Sequence, residues 1–293
     1  MRPSRSGYLL VLVAATCFGT LGMFSKLFYD AGGDAWTLLF LRFAITGPIL
    51  CVLAVLLREP WPGRRVALIG ASLGVFQFGV AYALFEGFER APVALVTLLY
   101  FAYPLVTALG GAVFYGEELG PRRAVILAVA LSGVALTIGV PDSANWVGIV
   151  LGLVAGLCVA ALILSSRGLL VGTSLSPIVL CGLMFTSPAI GLVLAIPARA
   201  PEFDLDPEAW GWAVAAVLVS ATIPVALFYA GVQRVGATAS GLLSTVEPLV
   251  SVLLAYAVLD ESLSGRQLLG GALIVLGILA LSLQAPGRRA TQG

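Results

Sequence analysis

The sequence contains no histidine among its 293 residues, and charged residues make up only 11% of it. Without histidine, the chain lacks the commonest general base, the commonest zinc ligand and the usual pH-sensitive side chain. Its four cysteines lie inside apolar runs without C-x-x-C spacing, which disfavours a disulfide framework or a thiolate metal site. Basic and acidic residues are nearly balanced, 16 against 15, and form no basic block. We therefore expect no metal, no other cofactor and no nucleic-acid partner.

What the sequence has in excess is apolar residues, which make up 60% of the chain. Such a composition is typical of a polytopic membrane protein. Counting about 20 apolar residues for each crossing, we predict an all-α fold of ten transmembrane helices. The predicted spans are residues 8–29, 34–57, 66–88, 92–115, 122–140, 146–166, 174–196, 210–232, 236–259 and 266–284.

The second half of the chain repeats the first. Aligning Pro104 with Pro248 also aligns several other residues without a gap: Arg90 with Arg234, Glu117 with Glu261, Arg122 with Arg266 and Gly133 with Gly277. The first spans of the two halves match in the same way: Gly7 with Gly148, Cys17 with Cys158 and Ser25 with Ser166. We therefore predict two repeats, residues 7–140 and 146–284. Five crossings in each repeat is an odd number, so the second repeat enters the membrane from the opposite side and the repeats are inverted.

The loops carry an uneven distribution of Lys and Arg. If the N-terminus lies inside, most basic residues fall on the inner side, including Arg2, Arg5, Arg58, Arg64 and Arg65. By the positive-inside rule, both termini are predicted to lie in the cytoplasm.

The strongest local signal is Glu247 followed by Pro248 near the middle of span 9. A charge at the centre of a spanning helix costs about 2.5–3.5 kcal/mol on insertion scales, so it usually faces a cavity or a partner. Ser240, Ser244 and Ser251 share its helix face at helical spacing. Glu247 is either a substrate- or proton-binding carboxylate beside a helix break, with Ser244 as its neighbour, or a hydrogen-bonded structural residue.

A group of aromatic and acidic residues on spans 3 and 4 forms a second candidate feature. Such residues could line a cavity in which rings accept an apolar cargo and hydroxyl groups orient its polar ends. The alternative is ordinary packing or an aromatic belt at the membrane interface. The members of the group are Phe78, Tyr82, Glu86, Tyr100, Phe101 and Tyr103.

Other charged residues are interpreted as structural. Arg42 lies about two turns into span 2, where it could bind a substrate carboxylate, but we favour an ion pair with Glu86. Glu117 and Glu261 precede spans 5 and 10, and each is expected to meet the N-terminal dipole of the helix that follows it. Pro104 and Pro248 are expected to break their helices.

At these residues the chain resembles the EamA-type branch of the drug/metabolite transporter superfamily. The resemblance covers nearly the whole chain, and its motifs are Glu247-Pro248, Gly116-Glu117-Glu118-Leu119 and Asp260-Glu261-Ser262-Leu263. It implies a basket-shaped bundle with a central cavity that works by alternating access, often as an inner-membrane exporter of amino acids or other metabolites. Some members export aromatic amino acids, and others carry different cargo.

We therefore expect a secondary transporter of the bacterial-type inner membrane that exports a small metabolite by alternating access. The favoured cargo is an amino acid, and one with an aromatic or apolar side chain is an option. Its partners would be the small-molecule substrate and membrane lipid, and it would act as a monomer or homodimer. Efflux of a drug or cation and uptake of a metabolite are alternatives in the same fold. An enzyme fits poorly because no catalytic constellation is visible, and a channel remains a further alternative.

Overall fold

The structure is a computed structural model that describes residues 5–90, 96, 99–117, 120–138, 146–258 and 264–282. The regular structure of these residues is helical throughout, with no strand. A π-helical turn, Leu218–Thr222, joins the tenth and eleventh helices. In chain order the helices are α1 (Arg5–Gly19), α2 (Leu21–Asp30), α3 (Ala35–Leu56), α4 (Arg64–Ser72), α5 (Gly74–Arg90), α6 (Tyr103–Tyr115), α7 (Pro121–Ile138), α8 (Trp146–Gly172), α9 (Pro177–Ala195), α10 (Pro207–Val217), α11 (Ile223–Val235), α12 (Ala237–Leu243), α13 (Val246–Val258) and α14 (Gly265–Ser282).

Helices that follow one another end to end form the spans predicted from the sequence. Spans 1 and 3 are α1–α2 and α4–α5, span 8 is α10–α11 with the π-turn, and span 9 is α12–α13. Span 4 is α6 with the helical residues before it, and α3, α7, α8, α9 and α14 are spans 2, 5, 6, 7 and 10. Among the described residues, spans 1, 2, 3, 6, 7 and 8 are long and apolar enough to cross a membrane, and spans 4 and 10 contain shorter apolar helices. The prediction of an all-helical polytopic membrane protein is confirmed.

Equivalent spans of the two repeats run antiparallel to each other. In spans 2 and 7, Gly47 packs against Thr186, whereas Gly182, which comes earlier in span 7, packs against Cys51, later in span 2. The contacts between spans 4 and 9 run in the same antiparallel order, and so do the contacts between spans 5 and 10. Since three spans of the first repeat meet their own counterparts in the opposite direction, the two repeats are inverted, as predicted.

The packing partners of the spans also follow the repeat. Span 1 packs along span 8, and its counterpart, span 6, packs along span 3. Spans 2 and 7, 4 and 9, and 5 and 10 pack in pairs, each with its own counterpart. Exchanging the two repeats therefore leaves these main packing pairs unchanged. Spans 5 and 10 pack mainly against each other.

Spans 4 and 9 are interrupted at matching positions, just before Pro104 and Pro248. In span 9 the chain makes a tight turn in which the Thr245 N–H donates to the Leu242 carbonyl, at 3.2 Å. In span 4 the Ala102 N–H donates to the Leu99 carbonyl, also at 3.2 Å. Because proline has no N–H and its ring crowds the preceding turn, a regular α-helix cannot continue through it without a kink. The predicted helix breaks are present in both repeats.

Span 6 continues past its predicted end. Residues 168–174 were expected to form a break, but α8 extends to Gly172. The reason is tertiary, because the Arg167 guanidinium donates to the carbonyls of Val232 and Gln233, at 3.2 and 2.5 Å, at the end of α11. These two hydrogen bonds satisfy the charge of Arg167 inside the bundle. The helix can therefore continue past Arg167 without turning towards water.

Candidate functional site

The two helix breaks bring polar residues of both repeats together in the interior of the bundle. Spans 4 and 9 pack antiparallel, so Tyr100 and Tyr103 lie beside Ser244 and Glu247, and Arg42 of span 2 faces the same group. We call these five residues the central cluster. Sequence reasoning selected all of them, and the structure places them in one locality.

A chain of hydroxyl groups leads to the Glu247 carboxylate. The Ser244 hydroxyl lies within hydrogen-bonding reach of Glu247 and of the Tyr103 hydroxyl. It also donates to the Ser240 carbonyl at 3.1 Å in the structure. A serine hydroxyl has one proton, so it can donate to only one of these acceptors at a time. Within the described residues, the hydroxyl donor of the Glu247 carboxylate is this shared one, which lies in the turn between α12 and α13.

Arg42 supplies the opposite charge. Its guanidinium lies within electrostatic range of Glu247 and of the Tyr100 hydroxyl. Sequence reasoning paired Arg42 with Glu86, whereas the carboxylate that acts on it in the structure is Glu247. Glu86 is half-buried on α5. The central cluster thus contains one positive and one negative side chain from different repeats.

Three members of the central cluster retain accessible surface although protein encloses them. Arg42, Tyr100 and Glu247 are each partly accessible, while Tyr103 and Ser244 are 2% and 0% exposed. All five residues lie on spans that pack against other spans on several sides. We interpret this surface as facing an internal space between the spans, an arrangement suited to binding a small polar molecule.

The aromatic residues predicted to form one pocket divide into two groups. The rings of Tyr100, Phe101 and Tyr103 lie 5.1–5.9 Å apart and belong to the central cluster or pack beside it. Phe78 and Tyr82 form a separate stack at 5.8 Å, and Tyr82 is 43% exposed. No ring contact among the described residues joins the two groups, and a single aromatic cavity lined by both stays a prediction.

Inverted repeats, paired helix breaks and an enclosed charge pair are a combination typical of secondary transporters. Comparison with known families agrees, because the EamA-like transporter family matches residues 5–139 and again residues 146–283. The chain belongs to this family. It is accordingly a membrane transporter, and the family and its relatives are transporters, not enzymes.

Individual relatives match over nearly their whole lengths. An uncharacterized transporter of Archaeoglobus fulgidus is 28% identical over 278 residues, which are 95% of this chain and 97% of that protein. The chloramphenicol-sensitive protein RarD of Pseudomonas aeruginosa is 28% identical over 297 residues, covering 95% and 94%. A solved crystal structure aligns with a TM-score of 0.82 at 20% identity, covering 96% of this chain and 99% of the other. That last likeness shows the fold.

A second carboxylate of the transporter occupies a very different setting. Glu117, at the end of α6, accepts hydrogen bonds from the Ala237 and Thr238 N–H groups, both at 3.1 Å, and lies 3.9 Å from the Arg167 Nε. Glu117 was expected to meet the N-terminus of the following helix, α7, but it caps α12 of the other repeat. We call the contacts among Glu117, Arg167 and the start of α12 the Glu117 clasp. Glu261, its counterpart in the sequence, lies outside the described residues.

Two features of the transporter were not found from the sequence. The first is Tyr229 on α11, which is buried and interacts with the hydroxyls of Ser166 and Tyr100. Its counterpart in the first repeat is Phe85, so an aromatic residue recurs at this position and could have revealed it.

The second feature is a set of hydroxyl contacts between spans at the π-turn. The hydroxyl oxygens of Thr46 and Thr222 lie 2.9 Å apart, and those of Thr20 and Ser220 lie 2.7 Å apart. The Ser251 hydroxyl donates to the Gly19 carbonyl, at 2.9 Å, where α1 ends. π-turns often occur at functional sites, but the sequence carries no signal that predicts this one.

Proposed function

We propose that this transporter exports an amino acid across the inner membrane and that the cargo binds at the central cluster. The observation that supports the proposal most strongly is the enclosed Glu247 carboxylate, which has one shared hydroxyl donor and accessible surface toward an internal space. A carboxylate in that position can bind the ammonium group of a cargo, and charge-assisted hydrogen bonds of this kind are stronger than neutral ones.

The rest of the cluster provides contacts for the other parts of such a cargo. The Tyr100 hydroxyl can orient polar groups, and the rings of Tyr100, Phe101 and Tyr103 offer faces and edges to an aromatic or apolar side chain. Ser244 positions Glu247 from one helical turn away. Phe78, Tyr82 and Glu86 lie on α5, where they would line the route to the cluster from one side.

Alternating access follows naturally from the inverted repeats. Because exchanging the repeats preserves the main packing pairs of the spans, the two halves can adopt each other's conformations, which opens the internal space to the opposite side. The distribution of Lys and Arg supports an orientation with both termini in the cytoplasm. The working unit is a monomer or homodimer surrounded by lipid.

The proposal can be tested in liposomes that contain the purified transporter. Vesicles loaded with unlabelled amino acids should accumulate the matching labelled amino acid by counterflow, whereas empty vesicles and vesicles with the Glu247→Gln variant should not. An imposed pH gradient then tests proton coupling and the direction of net movement. If no amino acid undergoes counterflow, the proposed cargo is wrong.

A second candidate function is efflux of an aromatic drug. The Tyr100, Phe101 and Tyr103 rings favour it, and the name of the RarD relative connects that protein with chloramphenicol sensitivity. Chloramphenicol competition in the counterflow assay separates the two candidates, because a drug transporter would bind the drug in preference to any amino acid.

A further inference from the structure

Arg42 is an unusual residue in the interior of this bundle. Its Nε atom is buried and makes no hydrogen bond in the part of the chain that the structure describes. In that part of the chain Arg42 forms no ion pair with nitrogen and oxygen within 4.0 Å, so Arg42 and Glu247 interact across a gap and not by direct contact. A buried guanidinium N–H without a partner is costly, and a native structure that retains one needs a reason for it.

Two ordinary reasons do not apply to Arg42. It lies about two helical turns inside α3, which begins at Ala35, and adjoining spans pack around it, so its side chain does not reach the lipid headgroups. It also does not hold the helices together through a direct ion pair, as Arg167 does. Its Nε–H therefore has no acceptor within the part of the chain that the structure describes.

The position of the gap between Arg42 and Glu247 indicates which kind of molecule can bind in it. Arg42 comes from span 2 and Glu247 from span 9, so the two charges face the internal space from different repeats. An α-amino acid carries its carboxylate and its ammonium group on one carbon atom, and both can be satisfied at once by such a pair of side chains. The planar fork of an arginine is well matched to a carboxylate.

The same pair of charges opposes other cargo. A cation without a carboxylate would place its positive charge near Arg42 and leave the Arg42 guanidinium unpaired. An anion without an amine would place its negative charge near Glu247 and leave the Glu247 carboxylate unpaired. Like charges in a site shielded from water repel strongly. Selectivity of this kind arises from repulsion of the wrong cargo as much as from attraction of the right one.

We propose that Arg42 is a specificity-determining residue that binds the cargo carboxylate and restricts the transporter to cargo with both charges. This inference rests on the proposed function, because it assigns the second charge of the amino-acid site. It also predicts that the two charges act as a pair, so exchanging them should preserve the preference.

The test compares three ligands that share one ring. Phenylalanine carries both charges, phenylalaninamide lacks the carboxylate, and 3-phenylpropanoate lacks the amine. Binding of each to the purified full-length protein in detergent is measured by ligand-dependent thermal stabilisation. The wild type should bind phenylalanine about 10- to 100-fold more tightly than either analogue, the range expected for one charge-assisted contact.

Four variants complete the design. Arg42→Gln should lose the preference for phenylalanine over the amide, and Glu247→Gln should lose the preference for phenylalanine over 3-phenylpropanoate. The double exchange of Arg42→Glu with Glu247→Arg should recover the preference for phenylalanine over both analogues. Arg266→Gln is the matched control, because Arg266 is exposed at the start of α14 and its loss changes the net charge equally.

The outcomes distinguish the two proposals. If the wild type prefers phenylalanine and Arg42→Gln weakens all three ligands by the same factor, Arg42 is structural and the specificity inference is wrong while the proposed function stands. If the wild type binds the amide best, or binds none of the three, the amino-acid function itself fails. A changed ratio in Arg42→Gln with an unchanged ratio in Arg266→Gln supports the inference.

Discussion

Glu117 and Glu247 are both carboxylates at the interface between spans 4 and 9, but their surroundings are opposite. Glu117 receives two backbone N–H groups and lies near Arg167, so each of its oxygens has a fixed donor. Glu247 shares one serine hydroxyl and faces an arginine across a gap. A carboxylate satisfied by the backbone contributes to stability, whereas one left with free acceptor capacity in an enclosed space is available to a ligand.

The contrast also explains how the two repeats remain associated. Glu117 belongs to the first repeat and caps the first helix of span 9 in the second. The Glu117 clasp therefore joins the repeats at the end of the bundle where α6 ends, while the central cluster lies farther along the same two spans. The Glu117 clasp holds spans 4 and 9 firmly at one end, whereas the contacts within the central cluster are weak. The central cluster can therefore respond to the proposed cargo.

The largest effect is expected from Glu247→Gln. Glutamine keeps the shape of the side chain and can still bind Ser244, but it removes the charge that binds the cargo ammonium group. Counterflow of the amino acid should fall about 10- to 100-fold, because hydrogen bonds to charged groups contribute about 1.5–3 kcal/mol. The free energy of unfolding should change by less than about 1 kcal/mol. Full transport by this variant would assign Glu247 a structural role and remove the contrast.

The next effect is expected at the clasp, from Gly236→Ala. Gly236 has a φ of 89° and a ψ of 169°, a conformation nearly restricted to glycine, and an added Cβ would lie 2.5 Å from Glu117 Oε1. The backbone strain alone should lower stability by about 1–3 kcal/mol. Denaturant unfolding in micelles measures the loss.

Gly265→Ala is the matched control for Gly236. It also lies at the start of a helix, has open space around it and has no left-handed φ. Equal losses of stability in Gly236→Ala and Gly265→Ala would show that the clasp does not require a glycine conformation at Gly236.

A smaller effect is expected from Glu117→Ala, which leaves the N–H groups of Ala237 and Thr238 without their acceptor. Loss of such a cap typically costs about 1–2 kcal/mol. Glu117→Gln should lose less, because its carbonyl oxygen still accepts one of the two N–H groups. Hydrogen exchange of the two amides should accelerate in the alanine variant, with counterflow for each folded molecule retained. Loss of transport without loss of stability would contradict the structural role.

The smallest effect is expected from the hydroxyl contact between Thr46 and Thr222. Thr46→Val should cost about 0.5–1.5 kcal/mol, since it removes one buried hydrogen bond. The Thr222 hydroxyl also donates to the Val217 carbonyl, at 3.0 Å, so Thr222→Val should cost more than Thr46→Val. The double variant should cost less than the sum of the two single variants, because both lose the one bond that the two hydroxyls share. If the stability losses of the two single variants add up to that of the double variant in thermal unfolding, the two hydroxyls do not interact.

Much of the fold could be predicted from the sequence because its signals are local or periodic. Apolar runs give the spans, and prolines give the breaks. Repeat matching gives the two halves, and an odd number of crossings gives their inversion. The candidate site was predictable in part, because Glu247, Tyr100 and Tyr103 are polar residues in apolar runs. The clasp was not, because a carboxylate before one helix gives no indication that it caps a different helix.

The sequence by itself determined the class of protein, the inverted repeats and the residues whose burial requires an explanation, since these depend on composition, periodicity and the cost of placing charge in a membrane. Only the tertiary structure decided which partner each charge receives: Glu247 for Arg42, the start of α12 for Glu117 and the end of α11 for Arg167. The physical reason is that hydrogen bonds and charge interactions act over a few ångströms in space. Residues brought that close by the inverted packing are far apart in the chain.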